Sequence, residues 1–175
     1  AHYLENYEVD EQTCKEQTWA ERAAELVSKM YKGTEYGKPV IDDFKDFSIS
    51  HSDSFWAVAI SHSRCGLDVQ IVKDSTDYKK VADRMFSDEE KAAVADKGAE
   101  EFFRLWARRE AMVKAAGTTV VNYDLPSVLD SLVEFEEQKW RIESLDLPDA
   151  ECCRSAVCWL SDNPDEEVEL EYIRI

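Results

Sequence analysis

Apolar positions recur along the chain with two different spacings, and these predict where helices and strands lie. Spacings of three and four residues predict helices over residues 19–31 and 100–116, with Gly33 and Gly117 as stop signals. Ser87, followed by three acidic residues, predicts another helix start. Alternation of apolar and polar residues predicts strands over 47–50, 55–61, 67–72, 132–135, 140–145, 153–160 and 168–173. The order of elements predicts an α+β fold with two helix-plus-sheet halves and a boundary near residues 63–75.

The charge of the chain narrows the classes of partner. Its 38 acidic and 21 basic residues give a formal net charge of -17, which disfavours nucleic acid and anionic membranes as partners. No apolar run approaches the ~20 residues that a membrane span needs, and the acidic first residues do not resemble a signal peptide. Five cysteines without a C-x-x-C pair indicate reduced thiols. We therefore expect a cytoplasmic protein.

The predicted strand over residues 67–72 divides its side chains between two faces. Leu67, Val69 and Ile71 share one face, and Asp68 and Gln70 share the other. The apolar face must pack against another element. From this strand alone, the polar pair could equally face water or belong to a site.

The predicted helix over residues 100–116 carries a carboxylate among large apolar side chains. Glu110 lies on the same stripe as Phe102 and Trp106, where a carboxylate is costly unless it is paired, protonated or bound to metal. Lys114, four residues on, could form an ordinary helical ion pair with it. Three arginines (Arg104, Arg108 and Arg109) make the helix locally basic. Acidic and basic groups together suit a magnesium ion holding a pyrophosphate, although the signal is weak by itself.

A short serine-rich segment ends the first predicted strand. Ser50, His51 and Ser52 could donate hydrogen bonds to a phosphate, although a turn with satisfied hydroxyls explains them as well. A serine hydrolase would need a positioned acid and an oxyanion hole, and the chain has no G-x-S-x-G sequence.

Taken in order, four segments resemble the motif series of the surfactin-synthetase-activating 4'-phosphopantetheinyl transferases. They are YGKP (36–39), FSISHS (47–52), GLDVQ (66–70) and WARREAMVK (106–114), and FSDEE (86–90) resembles a further family segment. Each motif is modest alone, but four in the right order at compatible spacings are a strong signal. The resemblance covers roughly residues 20–175.

The resemblance implies a pseudo-twofold pair of helix-plus-antiparallel-sheet lobes, residues 1–65 and 66–175, with coenzyme A in the cleft between them. It implies a monomer that moves 4'-phosphopantetheine from coenzyme A to a serine of an acyl or peptidyl carrier protein, a holo-[acyl-carrier-protein] synthase activity. The fatty-acid, polyketide and peptide-synthetase carriers are all open as substrates.

The resemblance also implies roles for individual residues. Asp68 and Glu110 would hold Mg²⁺, or Mn²⁺, on the pyrophosphate, and Lys114 would contact the same phosphates. Gln70 stands where the family has an acid, so either its carbonyl oxygen or a water would complete the metal site. The nucleotide end of coenzyme A would be contacted by Ser50 and His51 at its phosphates and by Gly37, Lys38 and Pro39 beside the adenine. Arg109 stands where the family usually has a lysine near the phosphates.

Two further hypotheses of function stay open in addition to the transferase. Gln70 is compatible with a non-catalytic relative that binds coenzyme A or a carrier without turnover. A metal-dependent phosphohydrolase using Asp68 and Glu110 is a third reading, although the chain lacks the denser Asp and His clusters of two-metal hydrolases. In the transferase, the general base is either Glu110 or a metal-bound water.

Overall fold

The computed structural model describes residues 32–33, 39–40, 46–53, 55–61, 63–73, 77–121, 125–146 and 152–161. The chain divides into two compact units, Ala1–Lys32 and Gly33–Ile175, and the site described below lies in the second unit. The predicted helix over 19–31, the predicted strand over 168–173, and Gly37 and Lys38 lie outside the described residues. The lobe boundary between residues 65 and 66 stays a prediction.

The described elements are strands and helices in separate runs, which confirms the α+β class. The strands are β1 (Lys32–Gly33), β2 (Pro39–Val40), β3 (Asp46–Ser52), β4 (Phe55–Ser61), β5 (Cys65–Ile71), β6 (Leu132–Phe135), β7 (Gln138–Leu145) and β8 (Cys153–Leu160). The helices are α1 (Tyr78–Met85), α2 (Asp88–Lys97) and α3 (Ala99–Ala116). Strands β1 and β2 form one pair, β3 and β4 an antiparallel hairpin, and β5-β8-β7-β6 an antiparallel sheet in that order.

The four-stranded sheet is covered on both faces by parts of the same unit. On one face, Ile142, Ala156 and Cys158 belong to the core cluster that contains the buried side of α3. On the other, Leu67 and Val157 pack with alanines of β4. The alternation predicted for β5 is therefore confirmed, because its apolar residues face the hairpin while Asp68 and Gln70 lie on the other face.

Helix α3 is the central element of the core, and one line of its surface is left partly open. Most of its side chains are buried, whereas Trp106, Glu110 and Lys114 are half-buried. These three are four residues apart and therefore lie along one side of the helix. Gly117 ends the helix with a φ of 69°, and its N–H donates to the Val113 carbonyl at 2.9 Å.

The start of α2 was predicted correctly, whereas α1 was missed. The Ser87 hydroxyl accepts from the N–H of Glu90 at 3.2 Å, and the Glu90 carboxylate accepts from the N–H of Ser87 at 2.8 Å, which is a complete capping box. In α1, Tyr78, Val81 and Met85 pack on the core at helical spacing.

The three arginines of α3 bind inside the protein and do not form the anion site that their clustering suggested. The buried Arg108 donates to the carbonyls of Val128 and Asp130 at 2.6 Å each, and burial lowers its pKa to about 10. Arg104 donates two hydrogen bonds to Glu101, at 2.9 and 2.7 Å. Carbonyls and a carboxylate from the surrounding protein thus satisfy these groups. Arg109 is described with the site. No helix in the described part of the chain is long and apolar enough to cross a membrane.

Candidate active site

A close approach of β5 to α3 creates the candidate active site. A Cβ atom at Gly66 would clash with the backbone carbonyl of Ala111, the backbone nitrogen of Ala115 and the Cβ of Lys114. Only glycine allows the strand and the helix to pack this closely. The contact brings Asp68, two residues along β5, against the half-open side of α3.

Asp68 is the most heavily hydrogen-bonded group of the site. It is 4% exposed, and its Oδ1 accepts from Lys114 Nζ at 2.7 Å and from Ser50 Oγ at 3.0 Å. Its Oδ2 accepts from Gln70 Nε2 at 2.7 Å. A carboxylate held by three donors, one of them charged, is well fixed in position. Asp68, Gln70, Lys114 and Ser50, all predicted as site residues, therefore lie together.

Lys114 connects α3 to β5. It does not connect two successive turns of α3. Besides Asp68, its ammonium group donates to the Leu67 carbonyl at 3.0 Å and to Ser50 Oγ at 3.2 Å. The i,i+4 ion pair with Glu110, considered from the sequence, is replaced by this pairing across two elements.

Glu110 completes the cluster as a second carboxylate with a perturbed pKa. Burial raises the pKa of Glu110 above its ordinary 4.5, the neighbouring Asp68 carboxylate raises it further, and Lys114 lowers it. A like charge and a poorly solvated position both disfavour the ionised form. The site therefore holds two carboxylates for one lysine.

The oxygen atoms of the cluster supply some of the ligands that a hard divalent cation requires. Asp68 and Glu110 supply carboxylate oxygens, and the raised pKa of Glu110 marks negative charge that a cation would neutralise. Gln70 uses its Nε2 on Asp68, which leaves its amide oxygen as a neutral ligand. Among the described residues there is no group of three or more His, Cys, Asp and Glu placed to hold a metal ion. The oxygen donors available at the cluster are thus those of two acids and an amide.

A cleft of about 300 Å³ opens beside Gln70. Its walls are mainly apolar, with Phe102, Phe103 and Trp106 from α3 and Lys73 after the end of β5. Gln70 is the residue of the cluster that lines this cleft, which is large enough for part of a substrate.

His51 lies on the exposed surface of the hairpin. Its imidazole stacks on the indole of Trp56, with ring centroids 4.6 Å apart and an angle of 16° between the planes. The two residues are direct partners across β3 and β4, and Trp56 is 63% exposed. Neighbours on one strand, Ser50 and His51 point to opposite faces of it. If it binds a phosphate, as predicted, His51 therefore does so on the opposite face of β3 from Ser50.

Arg109 does not reach the carboxylate cluster. It is buried, its Nη1 lies 3.5 Å from Glu90 Oε2, and burial lowers its pKa. Glu90 is 0% exposed and also accepts from the N–H of Val128 at 2.9 Å. The structure thus gives Arg109 an interior ion pair in place of the expected phosphate contact, because its position on α3 faces α2 and not β5.

Sequence reasoning missed one set of residues that positions the site. Strand β5 lies at the edge of its sheet. Four of its backbone N–H groups donate to side-chain oxygens of β3, where a neighbouring strand of a sheet would offer backbone carbonyls. Listed as donor and acceptor, these are Cys65 to Asp46 at 2.7 Å, Leu67 to Ser48 at 2.9 Å, Val69 to Ser50 at 3.1 Å and Ile71 to Ser52 at 3.2 Å. The signal was the spacing of two residues in D-x-S-x-S-x-S (46–52). We refer to these four acceptors as the side-chain ladder.

Known proteins with related sequences agree with the motif resemblance. Residues 64–165, more than half of the chain, match the model of the 4'-phosphopantetheinyl transferase superfamily. The chain is 33% identical over 92 residues to the 4'-phosphopantetheinyl transferase gsp of Aneurinibacillus migulanus, covering 50% of this chain and 38% of the relative. It is 35% identical over 89 residues to a 4'-phosphopantetheinyl transferase of Bacillus subtilis, covering 47% and 39%.

Another relative matches a larger share of the chain. A putative 4'-phosphopantetheinyl transferase of Synechocystis is 25% identical over 160 residues, which cover 78% of this chain and 64% of the relative. The chain spans less than half the length of the first two relatives. The family match includes β5, α3 and β8, and therefore Asp68, Glu110 and Lys114. The chain belongs to the 4'-phosphopantetheinyl transferase superfamily.

Proposed function

We propose that this protein transfers the 4'-phosphopantetheine group from coenzyme A to a serine of an acyl or peptidyl carrier protein, with release of 3',5'-ADP. The observation that carries the proposal is the meeting of Asp68, Glu110 and Lys114 where Gly66 lets β5 pack on α3. The predicted monomeric state and cytoplasmic location belong to the proposal as well.

The charges of the cluster support a reaction at a pyrophosphate. Asp68 and Glu110 supply oxygen ligands for Mg²⁺, with the Gln70 amide oxygen or a water beside them. When bound, Mg²⁺ supplies positive charge that neutralises phosphate oxygens. Lys114 supplies a second positive charge from α3, and its bonds to Asp68 and the Leu67 carbonyl hold its ammonium group in place. A fixed cation stabilises the charge that develops during phosphoryl transfer.

The raised pKa of Glu110 supports its use as the general base. In the reaction, the serine oxygen forms a bond to the β-phosphorus, the bond to the 3',5'-ADP oxygen breaks, and the serine proton moves to the Glu110 carboxylate. A carboxylate whose pKa is raised by burial and by Asp68 accepts a proton more readily than an ordinary one. The position of Glu110 on the half-open side of α3 leaves it accessible to the incoming hydroxyl.

Recognition of coenzyme A is proposed for the hairpin and for the segment before it. The exposed imidazole of His51 can donate to a phosphate from its stacked position on Trp56. Gly37, Lys38 and Pro39 are proposed beside the adenine, on the strength of the motif alone. A carrier serine would approach from the open side of the cluster.

Intact-mass analysis of apo carrier proteins tests the proposal. Each carrier is incubated with the protein, coenzyme A and Mg²⁺, and we expect a gain of about 340 Da, the mass of the group transferred in this phosphoryl-transfer step. Asp68→Asn and Glu110→Gln should abolish the gain. Glu100→Gln is the matched control, because Glu100 lies on the same helix but is exposed and pairs with Arg154.

The other outcomes identify the two alternative functions. Coenzyme A binding without any mass gain on fatty-acid, polyketide or peptide-synthetase carriers would indicate a non-catalytic binding protein. Release of free phosphopantetheine in the absence of a carrier would indicate a phosphohydrolase. A gain that survives both Asp68→Asn and Glu110→Gln would contradict the proposed site.

A further inference from the structure

The backbone of His51 is held on both sides by the side-chain ladder. Its chain neighbours, Ser50 and Ser52, accept hydrogen bonds from the N–H groups of Val69 and Ile71 at 3.1 and 3.2 Å. These bonds tie β3 to the strand that carries the candidate active site. The imidazole of His51 is exposed, and an exposed side chain rotates among its rotamers unless a neighbour restrains it.

Trp56 is the neighbour that restrains the imidazole. The two residues are direct partners in the register of β3 and β4, and their rings stack with centroids 4.6 Å apart and an angle of 16° between the planes. Facing aromatic pairs of this kind stabilise each other across two strands. The pair lies beside the turn between the strands, where Asp53 has a φ of 55°. Both residues are therefore held at one end of the hairpin.

The stacked geometry leaves the hydrogen-bonding atoms of His51 accessible. Stacking uses the face of the imidazole, whereas Nδ1 and Nε2 lie at the edge of the ring and point away in its plane. Trp56 is 63% exposed, so that the pair lies on an open surface. A phosphate can therefore reach the edge of the imidazole while its face stays on the indole.

We propose that Trp56 is a positioning residue for coenzyme A, which holds the His51 imidazole ready for a phosphate and acts only through His51. The inference rests on the proposed function, which gives His51 the phosphate contact. Trp56 itself lies outside the segments that carry the motif resemblance. A side chain that is fixed before the ligand arrives loses less conformational entropy on binding.

The variants separate the aromatic contact from the apolar surface. Trp56→Leu removes the ring and keeps an apolar side chain, whereas Trp56→Phe keeps a ring that can stack. Val58→Ala is the matched control, because Val58 is 58% exposed and lies on the same face of β4. Its partner on β3 is Ile49 and not His51.

The test is a double-mutant cycle on the full chain. Calorimetry measures the affinity for coenzyme A, without any carrier, of the wild type, Trp56→Leu, His51→Ala and the double variant. Prior fixing of one flexible side chain changes affinity by about two- to tenfold, so that we expect a loss of this size in Trp56→Leu. The same substitution should have no further effect once His51 is alanine.

The other variants and a spectrum of the free protein complete the expected result. Trp56→Phe should keep most of the affinity, and Val58→Ala should leave it unchanged. In nuclear magnetic resonance spectra, the ring protons of His51 should be shifted upfield by the indole and should lose this shift in Trp56→Leu. Both side chains of the pair are exposed, so that the unfolding temperature should change little.

Four results would overturn the inference. An equal loss from Trp56→Leu in the presence and absence of His51 would show that Trp56 contacts the ligand directly. A similar loss in Val58→Ala would show a general effect of the surface. Unchanged affinity in Trp56→Leu would show that the stack does not assist binding. Unchanged affinity in His51→Ala would remove the contact on which Trp56 is proposed to act.

The binding measurements and the carrier assay can fail separately. Coupling between His51 and Trp56 without any mass gain on a carrier would uphold this inference and contradict the transferase. A mass gain without coupling would uphold the transferase and overturn the role of Trp56.

Discussion

Gly66 of β5 lies so close to the Ala111 carbonyl of α3 that a methyl group on its Cα would overlap that oxygen. The obstacle is backbone on a buried helix and not the end of a flexible side chain, so that it cannot move aside cheaply. Gly66 therefore sets the distance between the strand that carries Asp68 and the helix that carries Glu110 and Lys114.

We predict that Gly66→Ala destabilises the protein by about 1–3 kcal/mol, the usual cost of overpacking, and abolishes transfer by separating the cluster. Urea unfolding and the carrier mass assay measure the two effects. Gly98→Ala is the control, because its site has open space but a φ of 80°, so that it should lose stability through backbone strain and keep its activity. Full activity of folded Gly66→Ala would contradict this role.

The stability of the metal-free protein should depend on the protonation of Glu110. Its pKa is raised in the folded state, so that the folded protein binds this proton more tightly than the unfolded chain. The contribution of Glu110 to the free energy of unfolding therefore falls as pH rises from its ordinary pKa of 4.5 through the raised pKa.

Glu110→Gln should remove this part of the pH dependence. We expect the variant to be more stable than the wild type near pH 7 and the difference to shrink toward about pH 4. Urea unfolding across this range in a chelating buffer is the measurement. A constant difference between Glu110→Gln and the wild type would argue against the raised pKa.

A substitution at Gln70 tests the charge of the proposed metal site. Gln70→Glu replaces the donor that bonds to Asp68 with another carboxylate, so that it should destabilise the metal-free protein by like-charge repulsion. The added charge should lower the Mg²⁺ concentration that gives the half-maximal rate by roughly tenfold. This is the size of effect expected when a group around a metal ligand is changed. A remote Gln138→Glu on β7 is the control. An unchanged Mg²⁺ requirement would exclude Gln70 from the metal site.

Arg109 and Glu90 should act on stability and not on substrate binding. Loss of one partner of a buried ion pair costs about 3–5 kcal/mol, so that Arg109→Met should be strongly destabilised in urea unfolding. The KM for coenzyme A of the folded variant should remain that of the wild type. A rise in KM with normal stability would restore the phosphate contact suggested by the motif.

Helices and strands could be predicted from the sequence where the spacing of apolar residues repeats within a single element. Helix α3, the capping box of α2 and strands β6 and β8 were predicted closely because local spacing determines them. Helix α1 was missed although Tyr78, Val81, Ala82 and Met85 follow helical spacing, because charged residues dominate its composition. The polar face of β5, with Asp68 and Gln70, was also predicted.

Contacts between distant parts of the chain could not be read in the same way. The basic run on α3 suggested an anion site, yet Arg108 binds carbonyls of residues 128 and 130 and Arg109 pairs with Glu90. The hydrogen bonds of Ser50 with the N–H of Val69 and with Lys114 likewise join residues that are far apart in the sequence. Nothing in a local pattern specifies a partner 20 or more residues away.

The side-chain ladder has a consequence for the mutations that this part of the chain can accept. Its members occupy every second residue of β3, so that the insertion or deletion of one residue would turn all the oxygens away from β5. Phe47, Ile49 and His51 would then oppose the same N–H groups, and the apolar side chains among them offer no acceptor. A single substitution on the ladder removes the contacts of one side chain, whereas a change of length within β3 displaces several side chains at once. In an evolving lineage, length variation should therefore fall outside Asp46–Ser52.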